Sequence, residues 1–149
     1  MVQEKIAFVL WADRFDETLA ALFVAELRKA GLRVKLVSLA SQPSSGAYGL
    51  TLVPDLTLEQ ALPLAHQASC VVIPCGDAGL KRLKNDPRLQ AFLVQTHEAG
   101  ATFVVNQSGA TDLARCNWPF SSRPEPVVYA DGEDAMVVAR RIGTVSSVA

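Results

Sequence analysis

The 149-residue chain is half hydrophobic, carries 19% charged residues and has a formal net charge of −1. That profile fits a compact soluble protein and supplies no basic face for nucleic acid or an anionic membrane. The length fits one domain around one core.

Cys70, Cys75 and Cys116 are odd in number and lack paired spacing, which argues against a disulfide framework and predicts reduced thiols. The opening MVQEKIAFVLWADRF has no basic n-region, long apolar stretch or small-residue cleavage site, and no window approaches the ~18 uninterrupted apolar residues of a membrane span. A cytoplasmic location is expected.

In chain order, Lys5 to Leu10 is a nearly continuous apolar run, as expected of a strand covered on both faces. A helix follows from about Asp16 to Ala30, with Leu19, Leu22, Phe23 and Leu27 at helical spacing and Gly31 as its stop. Val34 to Leu39 is a second strand. SQPSSGAYG, 41–49, reads as a surface loop from its Ser, Gly and Pro content. It leads into GLTLVPDLTLEQALPLA, a short extended piece broken at Pro54 and then a helical patch. CVVI, 70–73, is the third strand, stopped by Pro74. The stretch 80–100 reads as helix, restarted by Asp86 as cap and Pro87 in the first turn. Phe103 to Asn106 is the fourth strand, followed by a helix to about Arg115. PVVYA, 126–130, is the fifth, and GEDAMVVARRI a last helix capped by Asp131. Alternating strands and helices imply parallel crossovers, hence an α/β three-layer sandwich with a mostly parallel, flavodoxin-like sheet.

In such sheets ligands bind outside the carboxyl ends of the strands, near the point where strand order reverses. The turns to inspect are WADRFDE after the first strand, PCGDAG after the third and NQSGA after the fourth. Cys75 lies in the second of these and is a candidate nucleophile, although no histidine or lysine adjoins it and a free cysteine is more often an inert core residue. Ser108 would need a general base, and no histidine follows it; capping the next helix is the simpler role. Gly76 and Gly79 could cradle an anion, but a tight turn explains them as well. Asp13, Asp16 and Glu17 resemble an acidic cluster, yet acidic residues favour a helix N-terminus in any case. The cysteines and histidines form no zinc-binding spacing, so no metal or cofactor is expected. Trp11 and Trp118 do not discriminate among functions.

The segments GLTLVPDLTLEQA, IPCGDAGLKRL, NDPRLQAFL and GATFVVNQSGATDLA occur in the order and spacing of the ThiJ/PfpI family, relatives of the class I glutamine amidotransferases, and the chain resembles that family over about residues 4–115. The resemblance implies a homodimer and a reactive cysteine at a strained elbow after the fourth strand. It also implies a glutamate on the first helix beside that cysteine, an oxyanion hole from a Pro-Gly-Gly turn and the elbow, and a nearby histidine. Carried over residue by residue, the cysteine position holds Gln107, whose amide is no nucleophile at neutral pH. In the gapless register the glutamate position falls on Leu19, which also completes the helix's apolar stripe; a one- or two-residue gap would place Glu17 there. The turn reads Pro74, Cys75, Gly76. The two histidines, His66 and His97, both precede the elbow.

Three expectations follow. The first is a catalytically degenerate member whose crevice, lined by Asp16, Glu17, Leu19, Cys75, Gly76, Asn106, Gln107 and Ser108, binds a small polar or carboxylate ligand without turnover. The second is a cysteine-dependent hydrolase or glyoxalase-like enzyme working through Cys75, with Glu17 or Asp16 as acid/base. The third is an interaction subunit whose crevice is filled by Leu19 and its neighbours.

Overall fold

A computed structural model describes residues 5–11, 16–38, 45–73, 86–106, 127–129 and 137–142. The strands are β1 (Ile6–Trp11), β2 (Arg33–Ser38), β3 (Leu56–Thr57), β4 (Ala68–Ile73), β5 (Thr102–Asn106) and β6 (Val127–Tyr129). They form one sheet in the order β3-β2-β1-β4-β5-β6, every neighbouring pair parallel. With the two-residue β3 at the edge set aside, the other five follow the 2-1-3-4-5 order of flavodoxin-like sheets. The expected architecture is present.

Both faces of the sheet are covered, which is why the strands are apolar throughout rather than alternating. From β1, Ile6, Phe8 and Leu10 point to one side, where they meet Leu58, Ala61, Leu89, Phe92 and Leu93. Ala7 and Val9 point to the other, where they meet Leu19, Phe23 and Leu27 together with Val138 and Ile142. The first side is layered by α2 (Leu58–Ala61), a 3-10 helix (Leu62–Gln67) and α3 (Pro87–Glu98). The second carries α1 (Glu17–Lys29) and the helical residues 137–142.

The helix ends show why the chain folds this way locally. Asp16 caps α1 by accepting the Leu19 N–H at 3.0 Å, and Asp86 caps α3 by accepting the Arg88 N–H at 2.9 Å, with Pro87 in the first turn. At the other end of α1, Gly31 takes φ 89°, its N–H donates to the Arg28 carbonyl and the Leu32 N–H to that of Leu27. The last turn of α3 repeats the pattern with Gly100 at φ 85°. Both are Schellman stops, a geometry that a side chain at the glycine would oppose.

Several boundaries shift from the sequence expectation. The third expected strand begins two residues earlier, at Ala68, because it pairs with β1 from Ile6 onward through a register shift. The first two move by one residue, to Ile6–Trp11 and Arg33–Ser38. The piece around Pro54 contains β3, seen only once β2 is beside it. There Asp55 acts as a false strand residue: its N–H donates to the Leu36 carbonyl at 2.9 Å, while its carboxylate accepts the Leu36 N–H at 2.9 Å.

Candidate functional site

Strand order reverses between β1 and β4, so the crevice that a parallel sheet offers a ligand lies at their carboxyl ends. The turns expected to line it from β4 and β5, with Cys75, Gly76, Gln107 and Ser108, lie outside the described residues, as does the expected strain at Gln107. Asn106 pairs through its backbone with Tyr129. What the structure places at this end is the first turn of α1 and the loop 45–51, which links β2 to β3.

Glu17 is the second residue of that turn counting its cap, and it is 6% exposed. Its carboxylate accepts the Tyr48 N–H on both oxygens, at 3.0 and 3.1 Å, and the Leu50 N–H at 2.9 Å. The loop is shaped to present those donors. Ser45 and Thr51 bridge its base in antiparallel fashion, the Gly46 N–H donates to the Leu50 carbonyl at 2.8 Å, and the Gly49 N–H donates to the Gly46 carbonyl at 3.1 Å. Gly46 is buried against the Glu17 carboxyl group, which a Cβ at that position would overlap. Convergent backbone N–H groups of this kind form an anion-holding nest, and here the anion comes from the protein itself.

Burial raises the Glu17 pKa, but the backbone hydrogen bonds from Leu50 and Tyr48 outweigh it and hold the carboxyl below its ordinary value. A carboxylate so engaged stays ionised and is a poor proton donor. Asp16 is engaged as well, at the helix cap. Leu19, one turn in, packs with Phe23 and Leu27 in the core, as its place in the apolar stripe predicts. The structure thus brings Asp16, Glu17 and Leu19 onto one helical turn but gives them three different tasks. Sequence reasoning did not single out Gly46, Tyr48 and Leu50; a glycine two residues before a tyrosine in a Ser-rich loop was the only hint.

Among the described residues, the other reactive groups are Cys70 and the two histidines. Cys70 is buried within β4 and burial pushes its thiol up to about 12, the Ser69 side chain offsetting little of that. His66 lies in the last turn of the 3-10 helix just before β4, and His97 lies in the last turn of α3 just before β5. Both therefore sit at the amino edge of the sheet, about 17–20 Å of strand away from the carboxyl ends. His97 lies beside Phe103, ring centroids 6.3 Å apart. Among the described residues no cluster of three or more histidine, cysteine or acidic side chains could hold a metal ion, and no helix is long and apolar enough to cross a membrane.

The fold and its crevice define a flavodoxin-like α/β sandwich of the kind that binds ligands at a strand-order switch. Comparison with family models matches residues 4–116 to the DJ-1/PfpI family, and the chain belongs to that family. Its fold is similar to Drosophila melanogaster DJ-1beta, with 16% identity, 97% of this chain and 91% of that chain covered, and a TM-score of 0.81. It is also similar to an oxidised form of Toxoplasma gondii DJ-1 (15% identity, 98% and 97% covered, TM-score 0.75). A ThiJ/PfpI domain protein from Brachyspira murdochii is alike in the same way (16%, 99% and 100%, TM-score 0.73). A search of curated protein sequences gives no match.

Proposed function

We propose that this chain is a catalytically degenerate DJ-1/PfpI member: a cytoplasmic, single-domain protein that binds a small polar or carboxylate ligand at the crevice without turning it over. The observation that carries this reading is the placement of the histidines. The chain has two, and both stand at the edge of the sheet opposite the crevice, so neither can activate a nucleophile there. Two further facts support it. Gln107 directly follows β5, where the family resemblance puts a thiol. Glu17 spends its carboxylate on the loop 45–51 instead of facing a reacting group.

The test is a paired measurement on the wild-type protein. Methylglyoxal and small ester or peptide substrates should show no turnover above buffer, while small carboxylates should raise the melting temperature in proportion to the logarithm of their concentration. Turnover that disappears in Cys75→Ser would replace the binder with a thiol enzyme.

The same reading includes a homodimer. Tyr48, Leu50 and Val53 are 89%, 52% and 84% exposed, three large apolar side chains within one short segment. Apolar surface gathered in this way favours a protein contact. Light scattering should give twice the chain mass, and Tyr48→Ser with Val53→Glu should halve it; a monomeric wild type would remove this part.

A further inference from the structure

We propose that residues 45–51 are a latch held shut by the Glu17 carboxylate, opening locally when Glu17 takes up a proton while α1 and the sheet stay folded. Among the described residues, the hydrogen bonds that join 45–51 to the rest of the fold all end on Glu17. The others remain within the loop. Within a single chain little apolar burial compensates, since Ala47, Tyr48, Gly49 and Leu50 are all exposed. Because a dimer contact through Tyr48 and Leu50 would add protection of its own, the latch is read on the Tyr48→Ser, Val53→Glu variant as well as on the wild type. Gly46 is the exception, and it is buried against the same carboxyl group. A segment with few buried contacts and one anchor belongs to the low-stability end of a fold.

Protonation removes the anchor in two ways. It takes away the negative charge that strengthens the N–H bonds, and it turns one accepting oxygen into an O–H donor facing N–H donors. Backbone hydrogen bonds hold the Glu17 pKa down, which keeps the latch closed at neutral pH and confines opening to acid. Among the described residues, two other titratable groups stand on the helix end and the loop that hold it. Asp16, on the same helix end, is occupied by the Leu19 N–H. The loop contributes the Tyr48 phenol, which is exposed, and no other titratable side chain. Asp13 and Arg14, just before α1 in the sequence, lie outside the described residues. The latch stands whether or not the crevice binds a ligand.

The test is amide hydrogen exchange by NMR on the full chain, corrected for intrinsic rates, as pH is lowered. Protection of the Tyr48 and Leu50 amides should fall, by up to about tenfold per pH unit, as pH drops from the ordinary carboxylate range toward the lower closed-latch pKa of Glu17, one proton being taken up per opening, and should level off below that value. The amides of Phe23 and Leu27 on α1 should hold theirs. In Glu17→Gln the two loop amides should be weakly protected at every pH, with circular dichroism unchanged. Gly46→Ala, which displaces the carboxylate but keeps its charge, should weaken them too. Protection that stays flat with pH, or that Glu17→Gln leaves intact, would overturn the latch. So would loss of protection on α1 in step with the loop, because the opening would then be global.

Discussion

Glu17 and Tyr48, 31 positions apart, are joined by a two-pronged bond in which the Tyr48 N–H donates to both carboxylate oxygens at 3.0 and 3.1 Å. Burial raises the Glu17 pKa, but the Leu50 N–H together with this bond outweighs it and holds the pKa below its unfolded value, from which the sign of the pH dependence follows. The stability it contributes is fully present above the unfolded carboxylate value, near pH ~4.3. It is lost as pH falls through the lower folded-state value. Asp86, held down by the Arg88 side chain, titrates in the same direction, so wild type alone cannot isolate Glu17. Urea midpoints of wild type minus Glu17→Gln should show a constant margin at neutral pH that closes in acid; a margin that widened in acid would contradict the assignment.

Gly46 should tolerate no side chain while Glu17 is present. Gly46→Ala forces the overlap with the carboxyl group and should cost about 1–3 kcal/mol by urea denaturation, the usual range for overpacking. Glu17→Ala removes the group that would be struck. The double variant should then be less destabilised than the sum of the singles, the non-additivity expected of residues in contact. Simple additivity would show that the two do not meet.

The ring pair Phe8 and Phe92 ties the sheet to α3, centroids 5.2 Å apart and planes at 89°, an edge-to-face contact between side chains with no exposed surface. Phe92→Ala should lose about 3–5 kcal/mol, a large share of the roughly 5–15 kcal/mol that stabilises an ordinary domain. Phe92→Leu, which keeps much of the volume, should lose far less. Equal losses would mean that ring geometry, and not filling of space, governs this contact.

Cys70 should be silent toward thiol reagents in the native state. Its thiol is buried and pushed up to about 12, and only the thiolate reacts. Mass-resolved labelling should find it unmodified in buffer and modified in urea at the midpoint of unfolding. Labelling in buffer at the rate of a free thiol would show that β4 opens far more readily than its core position allows.

The parts of the fold governed by neighbours in sequence are legible in the sequence itself. Apolar runs gave the strands, the stripe Leu19, Phe23 and Leu27 gave the buried face of α1, and Gly31, Asp86 and Pro87 marked helix ends by local backbone chemistry. What stayed hidden depends on backbone groups far away in sequence. The pairing of Asp55 with Leu36 and the capture of the Tyr48 and Leu50 N–H groups by Glu17 use donors that every residue has, so no residue pattern announces them. Glu17 illustrates the gap: helix-end preference accounted for an acidic residue there, but its partner lay in a loop that composition had marked only as surface. The histidines were visible as two positions before the elbow that the family resemblance implies. That both stand at the wrong edge of the sheet required the order of the strands.

The central claim is that this chain carries no activated thiol, and the most direct measurement is the rate of iodoacetamide labelling of each cysteine, resolved by mass spectrometry, from acid to alkaline pH. Cys75 and Cys116 should follow the profile of an ordinary thiol, rising toward the ordinary thiol pKa of about 8.5. A cysteine that labels rapidly and independently of pH near pH 6, the signature of a stabilised thiolate, would contradict the degenerate reading and favour a cysteine-dependent enzyme instead.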